Sequence, residues 1–204
     1  MEGGTPGHMK TLLALPFLLL AVPSFADTPT HACRVKKETL KEYATVESNA
    51  GCVVHRVNSE TSEVEFLMVY VDKSATDRGW GFPGGKPATK KNDLKENAIA
   101  KALATRTEYE YSEPVVCTAG RETFEETGIE VVVETIIDKS DAFIAFQCSA
   151  VDPELTKHIP TAVDTKEIKK TAWVTLDQVK KGTVPLRFES NLPILEKAYD
   201  ALKK

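Results

Sequence analysis

The chain is most informative first for what it lacks. After the first 26 residues no segment offers 18 unbroken apolar residues, so a transmembrane helix is not expected in the body of the chain. It carries only four histidines and four cysteines, and no Cys-x-x-Cys pair, which argues against a zinc site. It lacks an excess of basic charge: 26 Lys and Arg against 30 Asp and Glu give a formal net charge of −4. That excludes a polybasic protein that binds nucleic acid through bulk charge, while leaving room for a local basic patch. Eleven Gly and eleven Pro are spread along the chain without a period, which excludes collagen-like and low-complexity classes. No internal repeat is present, and no Ser/His/Asp or Cys/His set suggests a nucleophile. What remains, 204 residues of ordinary hydrophobic and charged content, suits one domain with a sizeable core.

The N-terminus departs from that composition. Met9-Lys10 introduces eleven apolar residues, Leu12 to Val22, followed by Ser24-Phe25-Ala26 with small residues at the −3 and −1 positions of a cut after Ala26. A positive charge, a short apolar core and a small-residue cleavage site form the layout of a secretory signal peptide. Eleven residues at 1.5 Å each span roughly half of a ~30 Å bilayer core, too little for an anchor. The expected division is a signal peptide over 1–26, an N-terminal arm over 27–48 and a catalytic-type domain over 49–204, with no membrane association once the leader is removed. Cys33, Cys52, Cys117 and Cys148 all lie beyond the leader. An even number in a secreted chain invites pairing. Against it, Cys52 and Cys148 sit in strand-like apolar runs and Cys117 in a helix-like one, where a thiol behaves as a small core hydrophobe; that unpaired reading is the expectation.

Along the mature chain, Asp27 to Val46 reads as a polar arm or short helix. Gly51 to Val57 and Val64 to Val71 read as strands of a hairpin around the polar turn NSETSE. Asp72 to Gly79 reads as a charged loop, and Gly79 to Lys86 (GWGFPGGK) as a short strand entering a tight Gly turn. Val115 to Thr127 reads as a helix, with Pro114 at its first turn and Gly128 just past its end. Strands follow at Ile129 to Ile137, Ala142 to Val151 and Thr171 to Leu176. Leu195, Ala198, Tyr199 and Leu202 then share one face of a final helix capped by Ser190 or Asn191. Strands around a central helix that end on a second helix predict a layered α/β (α+β) domain. Asn92 to Arg106 has its own helical pattern, and from Lys86 to Arg106 six basic residues stand against two acidic ones. Beside the Gly turn, Lys86, Lys90 and Lys91 are candidates for phosphate contact, as is Arg78 before it. Trp80, Phe82 and Trp173 read as core rather than as stacking partners for a base.

The stretch with the most chemistry in it is Arg121-Glu122-Thr123-Phe124-Glu125-Glu126-Thr127-Gly128-Ile129. At 100° per residue Glu122, Glu125 and Glu126 share an arc of about 100°. Like charges so placed destabilise a helix, and a hard divalent cation removes the conflict. Carboxylate oxygens suit Mg²⁺ or Mn²⁺, which keeps waters that a phosphate displaces. Arg121 has forked donors that orient a glutamate or contact phosphate.

With Glu113 eight positions upstream and Phe82-Pro83-Gly84-Gly85-Lys86 before it, this stretch resembles the signature of the Nudix hydrolases, G-x5-E-x7-R-E-U-x-E-E-x-G-U with U apolar or Thr. The match runs over Glu113, Arg121, Glu122, Thr123, Glu125, Glu126, Gly128 and Ile129. It departs in one respect: 27 residues rather than five separate Gly85 from Glu113, an insertion at about 87–112 that holds the basic helix. The resemblance extends roughly from Gly51 to Leu202. It implies an α/β/α sandwich with a mixed sheet and an inserted helix, and Mg²⁺- or Mn²⁺-dependent attack of water on a diphosphate. It implies Glu125 and Glu126 as metal ligands and Glu122 as a further ligand or general base. Arg121 would orient the glutamates, and Gly84 would offer a backbone carbonyl to the metal. A looser likeness to the diphosphoinositol polyphosphate and dinucleoside polyphosphate phosphohydrolase branch points to polyanionic substrates, with the mRNA 5′ cap as a further one. A homodimer is expected by resemblance only. The leader, joined to an intracellular kind of chemistry, suggests a secreted pathogen effector acting in a host cytoplasm. The non-enzyme alternative is an idle Nudix-fold module that regulates a partner protein.

Overall fold

The computed structural model describes residues 33–43, 46, 48–88 and 113–203. The leader, Lys90, Lys91 and the pattern from Asn92 to Arg106 lie outside the described residues.

The apolar runs are continuous rather than alternating because the central strands are covered on both faces. β2 (Asn49–Val57) and β3 (Val64–Ser74) form the expected hairpin. Its turn is held by Asn58, whose Oδ1 accepts from the Glu60 and Thr61 amides at 2.9 and 3.2 Å. Along β2, Cys52 and Val54 join one buried cluster and Val53 the other. Along β3, Leu67 joins the first, Phe66 and Met68 the second. The sheet runs in the order β1 (Arg34–Val35), β6 (Val131–Lys139), β7 (Phe143–Ala150), β2, β3, β4 (Asp77–Gly81), with β5 (Gly84–Gly85) paired to β2 and β8 (Ile168–Thr175) to β3. It is mixed: β1 lies parallel to β6 and β2 parallel to β7, while the remaining pairs are antiparallel.

Helix α2 (Val115–Thr127) covers one face through Val115, Val116 and Ala119. It ends where the sequence places its stop, at Gly128 with φ 72° and its amide bonded to Phe124 O at 2.7 Å. On the other face lie α3 (Leu176–Lys180), closed by a Thr175–Gln178 capping box, and α4 (Asn191–Ala201). Leu195 and Ala198 of α4 are fully buried, as the helical periodicity predicts. Burying Leu195 alone contributes roughly 2–3 kcal/mol. The result is the expected α/β/α sandwich.

Three expectations are corrected. The charged loop at 72–79 is mostly strand: β3 continues to Ser74 and β4 begins at Asp77, with a register shift between Asp72 and Ser74 that absorbs the irregular spacing. The described part of the arm holds the short helix expected there, α1 (Lys37–Tyr43), which sets Tyr43 edge-on to Phe146, but it also holds an unexpected strand, since β1 pairs with β6. The cysteines are not unpaired: Cys33 joins Cys117, and Cys52 joins Cys148 across the parallel pair β2 and β7. Burial and pairing are compatible here. Cys52 and Cys148 are fully buried and stand on neighbouring strands, two residues off register, with Cα atoms 5.5 Å apart.

Candidate functional site

The site is built where α2 meets the Gly84–Gly85 turn. The approach depends on missing side chains. A Cβ on Gly84 would lie 2.6 Å from Ala50 O, so β5 pairs this closely with β2 only as glycine. A Cβ on Gly85 would lie 2.5 Å from the Glu122 carboxyl carbon; the space it would fill is held by that carboxylate. The Gly84 amide donates to Glu126 Oε2 at 3.0 Å, tying the turn to the helix.

Arg121 stands among the carboxylates. Its side chain is 12 % exposed. Its Nε donates to both oxygens of Glu113 at 3.1 Å, and Nη2 lies 3.0 Å from Glu113 Oε2 and 2.9 Å from Glu122 Oε1. Nη1 donates to Glu125 Oε2 at 2.6 Å, and Nη2 also to the Lys86 carbonyl at 2.8 Å. Glu113 is 2 % exposed and takes further bonds from the Ala88 amide at 3.1 Å and Thr118 Oγ1 at 3.0 Å. The fork that the sequence assigned to the glutamates thus serves chiefly a buried anchor before the helix.

Three carboxylates, Glu113, Glu122 and Glu125, face one guanidinium, and the proton affinities record the imbalance. Burial would lower Arg121, but its hydrogen bond to Glu113 and the charges of Glu122, Glu113 and Glu125 raise it further above its ordinary value. Burial pushes Glu122 up to about 7, against the pull of Arg121. Burial, then the Glu122 charge, pushes Glu126 up to about 8, with Gly84 N–H opposing, Glu167 raising and Arg187 lowering it. Glu125 is half exposed and is held by Arg121.

The donor set is oxygen only and carries excess negative charge, which fits a hard divalent cation. Among the described residues, no three His, Cys, Asp or Glu side chains enclose an ion by themselves, because Arg121 lies between the carboxylates. Mg²⁺ characteristically completes its shell with water and substrate phosphate.

Of the remaining candidates, Lys86 has an exposed side chain and enters through its carbonyl. Arg78 is exposed on β4 opposite Asp72. Phe82 is buried against Phe143 and Trp173 is buried with Nε1 on His158 O, both as core. Trp80 is half-buried beside Tyr70, ring centroids 5.4 Å apart. Sequence reasoning missed Asp77, Glu167 and Arg187. No local pattern marks them, since each reaches the site through a long-range pairing.

No protein-family model and no curated protein matches the sequence. Solved structures do match in fold. A Nudix hydrolase from M. smegmatis, RenU, aligns with a TM-score of 0.51 at 15 % identity over 76 % of this chain and 86 % of that one. A Nudix hydrolase from Nitrosomonas europaea aligns at 0.49, with 16 % identity over 76 % and 89 %. A C. elegans Ap4A hydrolase aligns at 0.47, with 16 % identity over 78 % and 98 %. At 15 % identity the RenU alignment speaks to architecture alone, and that architecture is the Nudix fold.

Proposed function

We propose that this chain is a Nudix pyrophosphohydrolase that cleaves a diphosphate linkage in a polyanionic substrate with Mg²⁺ or Mn²⁺. The observation that carries the reading is the pair of carboxylates at the Gly84–Gly85 turn, Glu126 buried and Glu122 half-buried, with one guanidinium serving three glutamates beside them. Carboxylates withdrawn from water with less than one cation each are costly, and a structural helix gains nothing from them.

In this reading Glu125 and Glu126 hold the ion, with Gly84 beside them, and Glu122 is a further ligand or the base. A bound Mg²⁺ would supply charge neutralisation and a more acidic water. Water adds to one phosphorus, the bridging P–O bond breaks, and the water's proton passes to a carboxylate. Glu122, 2.9 Å from Arg121 and packed against Gly85, is the carboxylate this reading assigns to that acceptance. Arg121, locked by Glu113, fixes Glu122 and Glu125. The substrate classes we favour are diphosphoinositol polyphosphates, dinucleoside polyphosphates and the mRNA 5′ cap. The basic residues Lys86, Lys90 and Lys91 at the start of the insertion support a polyanion. Secretion, and delivery into a host cytoplasm, is the accompanying proposal. The leader layout and two disulfides support an oxidising route.

The test is a Mg²⁺-dependent panel of inositol pyrophosphates, capped RNA, diadenosine polyphosphates, ADP-ribose and NADH on wild type and Glu126→Gln. Metal-dependent turnover lost in the variant, with its melting temperature kept, is expected. Turnover by neither protein on any substrate would favour the idle binding module.

A further inference from the structure

Arg187 belongs to none of the elements that carry the glutamates. It lies in the stretch between α3 and α4, and that stretch is docked on β4 with unusual tightness. The Trp80 amide donates to Pro185 O at 2.9 Å, and the Arg187 amide donates to Trp80 O at 2.8 Å, so Trp80 is bracketed on both sides. The approach needs Gly79, at φ +139°, where a Cβ would lie 2.6 Å from Arg187 N and 2.7 Å from its Cα. Four residues beyond Trp80, the same chain segment delivers Gly84 to Glu126. One short stretch of backbone therefore fixes Arg187 and Glu126 relative to each other.

The side chain is held as firmly. Arg187 Nε donates to Asp77 Oδ1 at 2.6 Å, and the guanidinium carbon lies 4.9 Å from the centroid of the Phe188 ring. The side chain is 20 % exposed. Among the described residues the two terminal Nη groups bond to no oxygen, although Asp77 uses only Nε. The guanidinium is pinned at Nε while its two Nη groups stay open to solvent, which leaves a positioned pair of forked donors for an incoming anion. It is also near enough to Glu126 for its charge to act there, while Glu167, paired with Lys73, acts in the opposite sense.

We propose that Arg187 is a phosphate-binding residue of this site, offering its free Nη donors to a phosphate of the diphosphate substrate. Asp77, Trp80 and Gly79 serve as the frame that positions it. The proposal rests on the pyrophosphohydrolase reading and adds a substrate contact from outside the glutamate helix and the basic insertion. It adds Arg187 to the anion contacts that the sequence assigned to Arg78, Lys86, Lys90 and Lys91.

The experiment has two readouts on the full chain. The first is binding of inorganic pyrophosphate with Mg²⁺ by calorimetry to wild type, Arg187→Gln and Arg187→Lys. The second is the steady-state split between KM and kcat on whichever panel substrate is turned over. Arg187→Gln is expected to weaken pyrophosphate at least tenfold and to raise KM by a similar factor with a smaller change in kcat. Arg187→Lys should recover part of the loss, and Asp77→Asn, which keeps the guanidinium but loosens it, should lose less than Arg187→Gln. Melting temperatures identify any variant that fails to fold, and for such a variant the Asp77→Asn and Arg187→Lys values decide. Equal pyrophosphate affinity in wild type and Arg187→Gln, or no binding by wild type, overturns the assignment. Absence of metal-dependent turnover by wild type overturns the enzyme reading instead, and the calorimetric comparison still decides Arg187.

Discussion

Arg121 and Glu113 form the most enclosed ion pair at the site, with Nη2 3.0 Å from Oε2 and side-chain exposures of 12 % and 3 %. The pair joins Glu113, two residues before α2, to the helix's second turn, and Glu113 Oε2 also accepts from Thr118 Oγ1 and the Ala88 amide.

Breaking that pair should therefore cost far more than breaking a surface one. Glu113→Gln is expected to lower unfolding free energy by about 3 kcal/mol, the low end for a buried pair, since Arg121 keeps Glu122 and Glu125. Glu196→Gln, which removes the partner of Lys180 in a pair 48 % and 41 % exposed, should leave the unfolding midpoint nearly unchanged. Urea unfolding of both variants makes the comparison, and equal midpoints would refute the anchoring role given to Glu113.

The raised proton affinities of Glu122 and Glu126 set the pH response of the metal-free protein. Both start from 4.5 and rise to about 7 and about 8 in the fold. Between those limits the folded state holds more protons than the unfolded chain. Stability from these groups is thus full below about pH 4.5 and is lost as pH rises through 7 to 8. A divalent ion requires the ionised carboxylates and releases their protons. Mg²⁺ should accordingly raise the melting temperature more at pH 8 than at pH 6, and Glu126→Gln should melt higher than wild type at pH 8 in EDTA. Calorimetric melts at the two pH values check both; a Mg²⁺ shift that is larger at pH 6 would contradict the assignment.

The parts of this site that were legible in the sequence are the ones encoded locally. The REXXEE spacing fixes three carboxylates on one helix face whatever surrounds them, and Pro114 and Gly128 mark the ends of α2 to the residue. The apolar runs of β2, β3 and β7 announced strands because both their faces are buried. Glu113 was placed by downstream spacing, and the structure supplies its physical role as the buried partner of Arg121. Arg187 and Asp77 were not legible. They are 110 positions apart and meet only because the stretch before α4 docks on β4 at Gly79. The strand content of 72–79 was hidden by its charge, since an edge hairpin needs no apolar alternation to pair.

Gly85 tests how closely the turn and the helix must approach. Its Cβ would meet the Glu122 carboxylate, the movable end of a side chain, so Gly85→Ala should fold with little loss of stability. The cost should fall on activity, because Glu122 must swing away from its place beside Arg121. A loss of tenfold or more in kcat/KM with a nearly unchanged melting temperature is expected, since displacements of about 1 Å carry rate penalties of that order or more. Gly84→Ala, whose Cβ would meet the Ala50 backbone, should by contrast lower the melting temperature itself. Reversal of that contrast would show that the turn is tuned for folding and not for Glu122.

The four cysteines offer a prediction that composition left open between three pairings. Cys33–Cys117 closes 84 residues and ties the first strand to α2 one turn before Arg121; Cys52–Cys148 closes 96 residues and staples β2 to β7 inside the core. Intact mass under non-reducing conditions should therefore be four hydrogens below the reduced mass, and peptide mapping should recover these two pairs. Loops of this length give roughly 4–5 kcal/mol each by chain entropy, with measured losses commonly 2–5 kcal/mol. Removing either pair as a double Cys→Ala variant should lower stability within that range. The two losses should differ in their reach. Without Cys33–Cys117, β1 keeps its two-residue pairing to β6 but α2 loses its tether, so hydrogen exchange should rise in β1 and the first turns of α2. Without Cys52–Cys148, protection should fall across β2 and β7 together, because the lost bond lies where those strands are fully buried. Free thiols at all four positions in protein folded under oxidising conditions would restore the unpaired reading that the apolar surroundings of Cys52, Cys117 and Cys148 first suggested.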